Sequence, residues 1–193
     1  MARAKEFDPD TVLQQALELF WRRGYEATSM ADLVEHLGIA KASIYATFGN
    51  KQEFYAKALR RYLDTTDPRI MAELSQPGPV LPAVKSLVER YVTEAAEDDQ
   101  QLGCMVVNSA VELAARDPGV ARLVEASWAH LETALTSALM RAKAQGELSA
   151  DADPQALARF LLVFFQGVRV LERTLDAGIR LRDAAAVALS ALR

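Results

Sequence analysis

The sequence predicts an all-α fold. Apolar residues recur at three- and four-residue intervals through most of the chain, and no strand-like alternation stands out. Alanine and leucine are abundant while aromatics make up only 7% of residues, a balance that favours helix. Glycine and proline punctuate the pattern into about nine helical segments.

Asp8-Pro9 opens the first helix, with Asp8 as N-cap and Pro9 at the first helical position. Val12, Leu13, Ala16, Leu19 and Phe20 form its apolar face. Arg22 and Arg23 sit where the helix dipole favours cations, and Gly24 closes the helix. Ser29 starts the second helix with Asp32 as its capping-box partner; Met30, Leu33, Val34 and Leu37 make the buried face, and Gly38 ends it. Ile39-Ala40 leads into a short third helix, Lys41 to Phe48. Gly49-Asn50 breaks the chain, and Asn50 pairs with Glu53 as a second cap. The fourth helix, 51–64, presents Phe54, Tyr55, Ala58, Leu59 and Tyr62 on one face. Residues 65–83 contain Pro68, Pro77, Gly78, Pro79 and Pro82, the clearest break in the chain. Helices are then expected at about 81–97, 101–115, 118–145, 154–177 and 182–192. This divides the protein into a helix-turn-helix domain over 1–50, a linking helix over 51–64, and a second helical domain over 65–193.

Composition narrows the function. The net charge of −4 argues against nonspecific coating of nucleic acid. Residues 1–62 nevertheless carry nine Lys/Arg against eight Asp/Glu, whereas 63–193 carry thirteen against eighteen. An N-terminal unit able to approach a polyanion is thus joined to an acidic body. The N-terminus lacks the apolar core of a secretory signal. The most apolar stretch, Leu157 to Leu171, is interrupted by Arg159, Gln166 and Arg169 and is short for a membrane span, so a cytoplasmic protein without a membrane partner is expected. Cys104 is the sole cysteine, and His36 and His130 are far apart, so no local spacing for a metal or cofactor exists.

The informative stretch is Ser29 to Asn50. Two short helices joined by Leu37-Gly38-Ile39-Ala40 make a helix-turn-helix, in which Gly38 takes a left-handed conformation without steric cost. Leu33, Leu37 and Ile39 bury beneath the turn. Lys41, Ala42, Ser43, Tyr45 and Thr47 are left on an outward face of little bulk, rich in hydrogen-bonding groups and suited to a major groove. Lys51 adds a charge to the free N–H groups opening the next helix, an arrangement suited to phosphate.

The run Phe20-x3-Gly24-Tyr25-x2-Thr28-Ser29, followed by the continuous segment from Leu37 to Lys51, resembles the DNA-binding region of the TetR family of transcriptional regulators. The resemblance covers the first third of the chain; the remainder matches in helical layout. It implies a repressor with double-stranded operator DNA as partner. Thr28, Tyr45, Thr47 and Lys51, with Ser29 beside them, then serve mainly as backbone contacts, and Lys41, Ala42 and Ser43 read bases or fix register. Ala40 stands where serine is common, which removes an N-cap worth ~1 kcal/mol. Ala42 replaces a common glycine or arginine. Packing against the scaffold helix for Tyr45, and a local cap for Thr28, are the simpler alternatives. Arg3 and Lys5 are either a basic arm or a solvated terminus.

The C-terminal body carries a partner surface. Apolar positions between Leu157 and Arg173 cover an arc of roughly 220°, wider than the ~100° stripe that one core needs. Leu157, Phe160, Leu161, Phe164 and Val168 face the chain's own core, leaving Val163, Gly167 and Val170 for a twofold-related copy. The resemblance likewise implies a homodimer built on the last two long helices. It also implies a small, largely apolar effector enclosed by the middle helices, with Tyr91, Cys104, Met105, Asn108, Trp128, Phe164 and Gln166 as candidate walls. Plain core packing is the alternative for each. Cys104 is either a buried small hydrophobe or a redox sensor, and no Lys, Arg or His lies within four residues of it. An enzyme on a helical bundle is disfavoured by the missing metal, phosphate-loop and triad signatures. A related module without operator binding stays open because of Ala40 and Ala42.

Overall fold

The computed structural model of the chain describes residues 7–97, 102–174 and 178–192. Nine helices and no strand occur among them: α1 Pro9–Arg23, α2 Met30–Leu37, α3 Lys41–Phe48, α4 Lys51–Leu74, α5 Leu81–Glu97, α6 Met105–Glu112, α7 Pro118–Ala144, α8 Pro154–Leu171 and α9 Gly178–Ser190. Arg3 and Lys5 lie outside the described residues.

The helices form two compact units. The first holds the chain up to Thr65 together with Asn108–Val124; the second holds Thr66–Val107 and the chain from Glu125 onward. The end of α6 and the start of α7 thus group with the helix-turn-helix in the first unit.

Local chemistry accounts for the ends of the early helices. The Asp8 carboxylate accepts from the Asp10 and Thr11 N–H groups, and Ser29 and Asp32 form a reciprocal capping box. The Asn50 N–H donates to Glu53 Oε2 at 2.8 Å while Glu53 N–H donates to Asn50 Oδ1 at 2.9 Å. Gly38 adopts φ +64° and ψ 21°, the left-handed conformation expected of the turn.

α4 departs from expectation, continuing ten residues past 64 with Pro68 inside it. A proline costs one hydrogen bond and clashes with the carbonyl four residues earlier, yet Arg69-Ile-Met-Ala-Glu-Leu74 is strongly helix-forming and carries the helix on. The break falls later, at Pro77-Gly78-Pro79. α6 is shorter than expected, and α8 ends at Leu171, ahead of the expected 177.

The first unit is cored by aromatics. Phe48 stacks on Phe54 with centroids 4.2 Å apart, Phe54 meets Phe20 edge-on at 6.1 Å, and Phe20 meets Tyr55 at 5.0 Å. These rings fix α3 against α4 and α1. The second unit buries aliphatic side chains of α5, α7, α8 and α9, among them Leu87, Leu135, Leu139 and Leu161, with Phe165 against Tyr91 at 4.2 Å.

α8 requires a correction. Phe160, expected in the core, is 41% exposed, and Phe165 is the fully buried aromatic. Phe160, Val163, Gly167 and Val170 instead form one outward stripe at spacings of three and four. With 18 residues and a mean hydropathy of 1.2, α8 has the length and composition of a minimal membrane span. Its exposed apolar residues keep to one side, however, and Arg159 and Arg169 are bonded to Glu132 and Glu94 of neighbouring helices. That pattern suits a partner helix better than lipid on every side.

Candidate nucleic-acid interface

The interface is built on α3, which turns only Ile44 and Phe48 fully inward. Lys41, Ala42 and Tyr45 are exposed and Ser43 and Thr47 half-buried, so all five have some access to solvent. No side chain caps the α3 N-terminus, because Ala40 has no acceptor to offer. Lys41 Nζ lies 5.9 Å from the centroid of the Tyr45 ring one turn on, which steadies a long cation on the outward face.

Lys57 secures the other end of α3, a residue the sequence does not flag. Its ammonium donates to the Thr47 carbonyl at 3.3 Å and the Phe48 carbonyl at 3.1 Å, satisfying acceptors that the helix end leaves open. Tyr45, Thr47, Phe48, Gly49, Lys57 and Arg60 border a shallow groove of about 450 Å³ along α3 and α4.

Lys51 opens α4, with its ammonium 4.0 Å from the centroid of the Tyr25 ring. A cation poised beside the free N–H groups of a helix start is chemistry for a phosphate oxygen. Ser29 is exposed at the start of α2, its hydroxyl oxygen accepting from Asp32 N–H at 3.1 Å. Thr28 is different. It is fully buried, its hydroxyl donates to the Gly24 carbonyl at 2.7 Å, and its N–H donates to the Tyr25 carbonyl at 3.2 Å. Its side chain ties the α1–α2 turn, the local role left open by the sequence, and offers no surface to a ligand.

Residues far along the chain complete this unit. The Tyr25 N–H donates to Glu112 Oε2 at 2.8 Å, Tyr55 Oη shares a 2.8 Å hydrogen bond with Ser109 Oγ, and Gln52 Nε2 donates to Asp117 Oδ2 at 2.6 Å. Burial disfavours the Asp117 carboxylate, but bonds from Gln52, Val120 and Gly119 hold its pKa below the usual value. With 54 to 87 residues between partners, no local pattern announces these contacts.

The candidate effector walls divide between the units. Asn108 belongs to the first; Tyr91, Cys104, Met105, Trp128, Phe164 and Gln166 belong to the second. Trp128 Nε1 donates to Gln166 Oε1 at 3.1 Å, and Gln166 Nε2 donates to the Leu162 carbonyl at 3.2 Å, so both polar groups are satisfied within the protein. Arg169 stacks over the Tyr91 ring at 4.6 Å and donates to Glu172 at 2.9 Å and Glu94 at 3.2 Å. Burial would raise the Glu94 carboxyl, but Arg90 and Arg169 hold it below its ordinary value. Burial pushes the Tyr91 hydroxyl up to about 12. Cys104 lies within electrostatic range of Tyr91 and Arg169, a cationic neighbour brought by the fold and not by the sequence.

Residues 12–58 match the model for bacterial regulatory proteins of the tetR family, and residues 80–188 match the tetracyclin repressor-like C-terminal domain. The chain is 38% identical over 193 residues to the HTH-type transcriptional regulator YezE of Bacillus subtilis (strain 168), covering all of both proteins. It is 33% identical over 175 residues to the HTH-type transcriptional repressor ComR of Escherichia coli (strain K12), spanning 89% of this chain and 82% of that one. Among solved structures, a cysteine mutant of the TetR family regulator CifR, complexed with 26 bp double-strand operator DNA, superposes with a TM-score of 0.85 at 30% identity, over the whole of both chains. The chain belongs to the TetR family of helix-turn-helix transcriptional regulators.

Proposed function

We propose that the protein is a repressor that binds a pseudo-palindromic operator as a homodimer and leaves it when a small, largely apolar effector binds. The observation that carries this reading is the outward face of α3, where Lys41, Ala42, Ser43, Tyr45 and Thr47 are accessible beside Lys51 at the start of α4. Lys41, Ala42 and Ser43 are assigned to base edges or register; Ser29, Tyr45, Thr47 and Lys51 are assigned to the backbone. Operator DNA in the CifR complex, at 30% identity over the full chain, supports the same partner.

The α8 stripe supports the dimer. Phe160, Val163 at 71% exposure and Val170 at 50% surround Gly167, where a Cβ would meet only open space. A second copy of α8 covers these apolar groups, and a dimer sets two recognition helices about one DNA turn, ~34–36 Å, apart. Blocking a promoter needs no surface beyond the DNA grip, which makes repression the default. In this reading the protein binds DNA without catalysis and acts in the cytoplasm.

The effector is assigned to the second unit, among Tyr91, Cys104, Met105, Trp128, Phe164 and Gln166. Converting an almost fully bound population to an almost fully released one requires a preference of about 10⁴-fold between the two states. The direct test is DNA binding across a salt series. A dimer making 6–10 phosphate contacts loses ~10³–10⁵ in affinity between 50 and 200 mM salt. A flat response contradicts the proposed grip.

A further inference from the structure

Glu112, the last residue of α6, lies in the first unit, and its carboxylate is directed at the α1–α2 turn. Its Oε2 accepts the Tyr25 N–H at 2.8 Å, and its Oε1 sits so close to Gly24 that a Cβ there would collide with it. Gly24 itself holds φ +82° and ψ 171°, a conformation that side chains disfavour. Glycine at position 24 therefore leaves room for the Glu112 carboxylate.

Tyr25 connects that contact to the DNA-facing surface. Its ring packs edge-on to Tyr55 at 5.2 Å, and the Lys51 ammonium rests 4.0 Å from its centroid. A lysine on a four-carbon stem samples many rotamers, and a ring beneath its ammonium biases that ensemble before a ligand arrives. We propose that Glu112 is a positioning residue for the DNA grip: by holding the Tyr25 backbone it fixes the ring that presents Lys51. The inference rests on the assignment of Lys51 to a phosphate.

Neighbouring contacts leave Glu112 separable from the anchoring of its own segment. Asp117, only 6% exposed, accepts from Gln52, Gly119 and Val120. Ser109 bonds Tyr55, and Arg116 pairs with Glu26 at 3.5 Å. Removal of the Glu112 carboxylate thus releases the Tyr25 N–H while these ties persist.

The test is a double-mutant cycle in the full-length protein, binding a mixed-sequence DNA duplex across a salt series. Lys51→Ala is expected to weaken binding about tenfold and to lower the salt-dependence slope by about one. Glu112→Ala should reproduce part of both changes and add nothing once Lys51 is alanine. Glu112→Gln keeps an acceptor oxygen and should bind within about twofold of the parent. The Lys51 ε-methylene protons should show an upfield ring-current shift that survives in Glu112→Gln and is lost in Glu112→Ala. Losses that multiply in the double variant, or a Lys51 signal still upfield in Glu112→Ala, overturn the proposal. A neutral Lys51→Ala instead overturns the phosphate assignment beneath it, and the inference falls with it. If Glu112→Ala does not fold, Glu112→Asp draws the carboxylate back from the Tyr25 N–H; loss of the upfield Lys51 shift in that variant supports the proposal, and an unchanged shift overturns it.

Discussion

α3 and α8 carry the two surfaces assigned to recognition, and they are built in opposite ways. α3 has eight residues, no N-cap side chain, and two fully inward anchors in Ile44 and Phe48. Its position depends on its surroundings: Phe48 stacked on Phe54, and Lys57 closing its C-terminal carbonyls. α8 has eighteen residues, an Asp153 cap bonded to two N–H groups, and four fully buried side chains. The outward face of α3 is polar and stable in water as it stands, whereas that of α8 is an apolar stripe that water disfavours. A surface for DNA can wait exposed; a surface for a second copy calls for its cover.

The sharpest way to break this contrast is to substitute two of the three phenylalanines of α8, Phe165 and Phe160. Phe165→Ala removes a fully buried ring packed on Tyr91 and is expected to cost about 3–5 kcal/mol in denaturant unfolding. Phe160→Ala should cost the folded protomer less than about 1 kcal/mol while weakening dimerisation, seen as a concentration-dependent mass in sedimentation. Equal losses for both would place Phe160 in the core after all.

Next in size is a pair of glycines. Gly24→Ala forces a side chain into a disfavoured conformation and into Glu112, and should cost about 2–3 kcal/mol. Gly38→Ala also meets a positive φ, yet nothing lies within 4 Å of its Cβ, so about 1 kcal/mol is expected. Urea midpoints at constant m-value would rank them, and the reverse order would dismiss the Glu112 contact.

Each unit also contains a buried tyrosine whose hydroxyl is pushed up to about 12 by burial, Tyr55 in the first and Tyr91 in the second. A folded-state pKa above the unfolded value of 10.0 gives stability that is complete below pH 10 and is lost as pH rises through 12. At pH 11 each should already cost on the order of 1 kcal/mol, and the corresponding phenylalanine variant should remove its share. An unchanged alkaline slope in both variants would contradict the burial.

The smallest effect should come from Ala40→Ser. A hydroxyl at the α3 N-cap supplies the missing acceptor and should stabilise the protein by about 0.5–1 kcal/mol in thermal unfolding, with no stabilisation if the α3 start is already satisfied by water.

What the sequence reveals follows the range of the interactions. Caps at Asp8, Ser29 and Asn50 and the turn at Gly38 are contacts within four residues, and each was legible in the residue pattern. The breadth of the apolar arc on α8 signalled a second covering surface. Periodicity did not separate Phe160 from Phe165, because both lie within an arc broader than one face. Pro68 read as a break because a proline inside a helix was weighed above the helix-forming residues Arg69 to Leu74 that carry α4 through it. Glu112, Asp117 and Ser109 were invisible because their partners lie 54 to 87 positions away. Thr28 carried the right family position, yet the fold turns its hydroxyl inward to Gly24.

Selection of bound sequences from random duplex DNA, with purified full-length protein at near-physiological salt, tests the central claim most directly. The account predicts enrichment of a pseudo-palindrome whose half-sites are centred about one helical turn apart, ~10–10.5 base pairs, or a multiple of it. Recovery of no enriched sequence from folded protein, with and without candidate effectors, would contradict operator binding and leave a TetR-type fold serving another task.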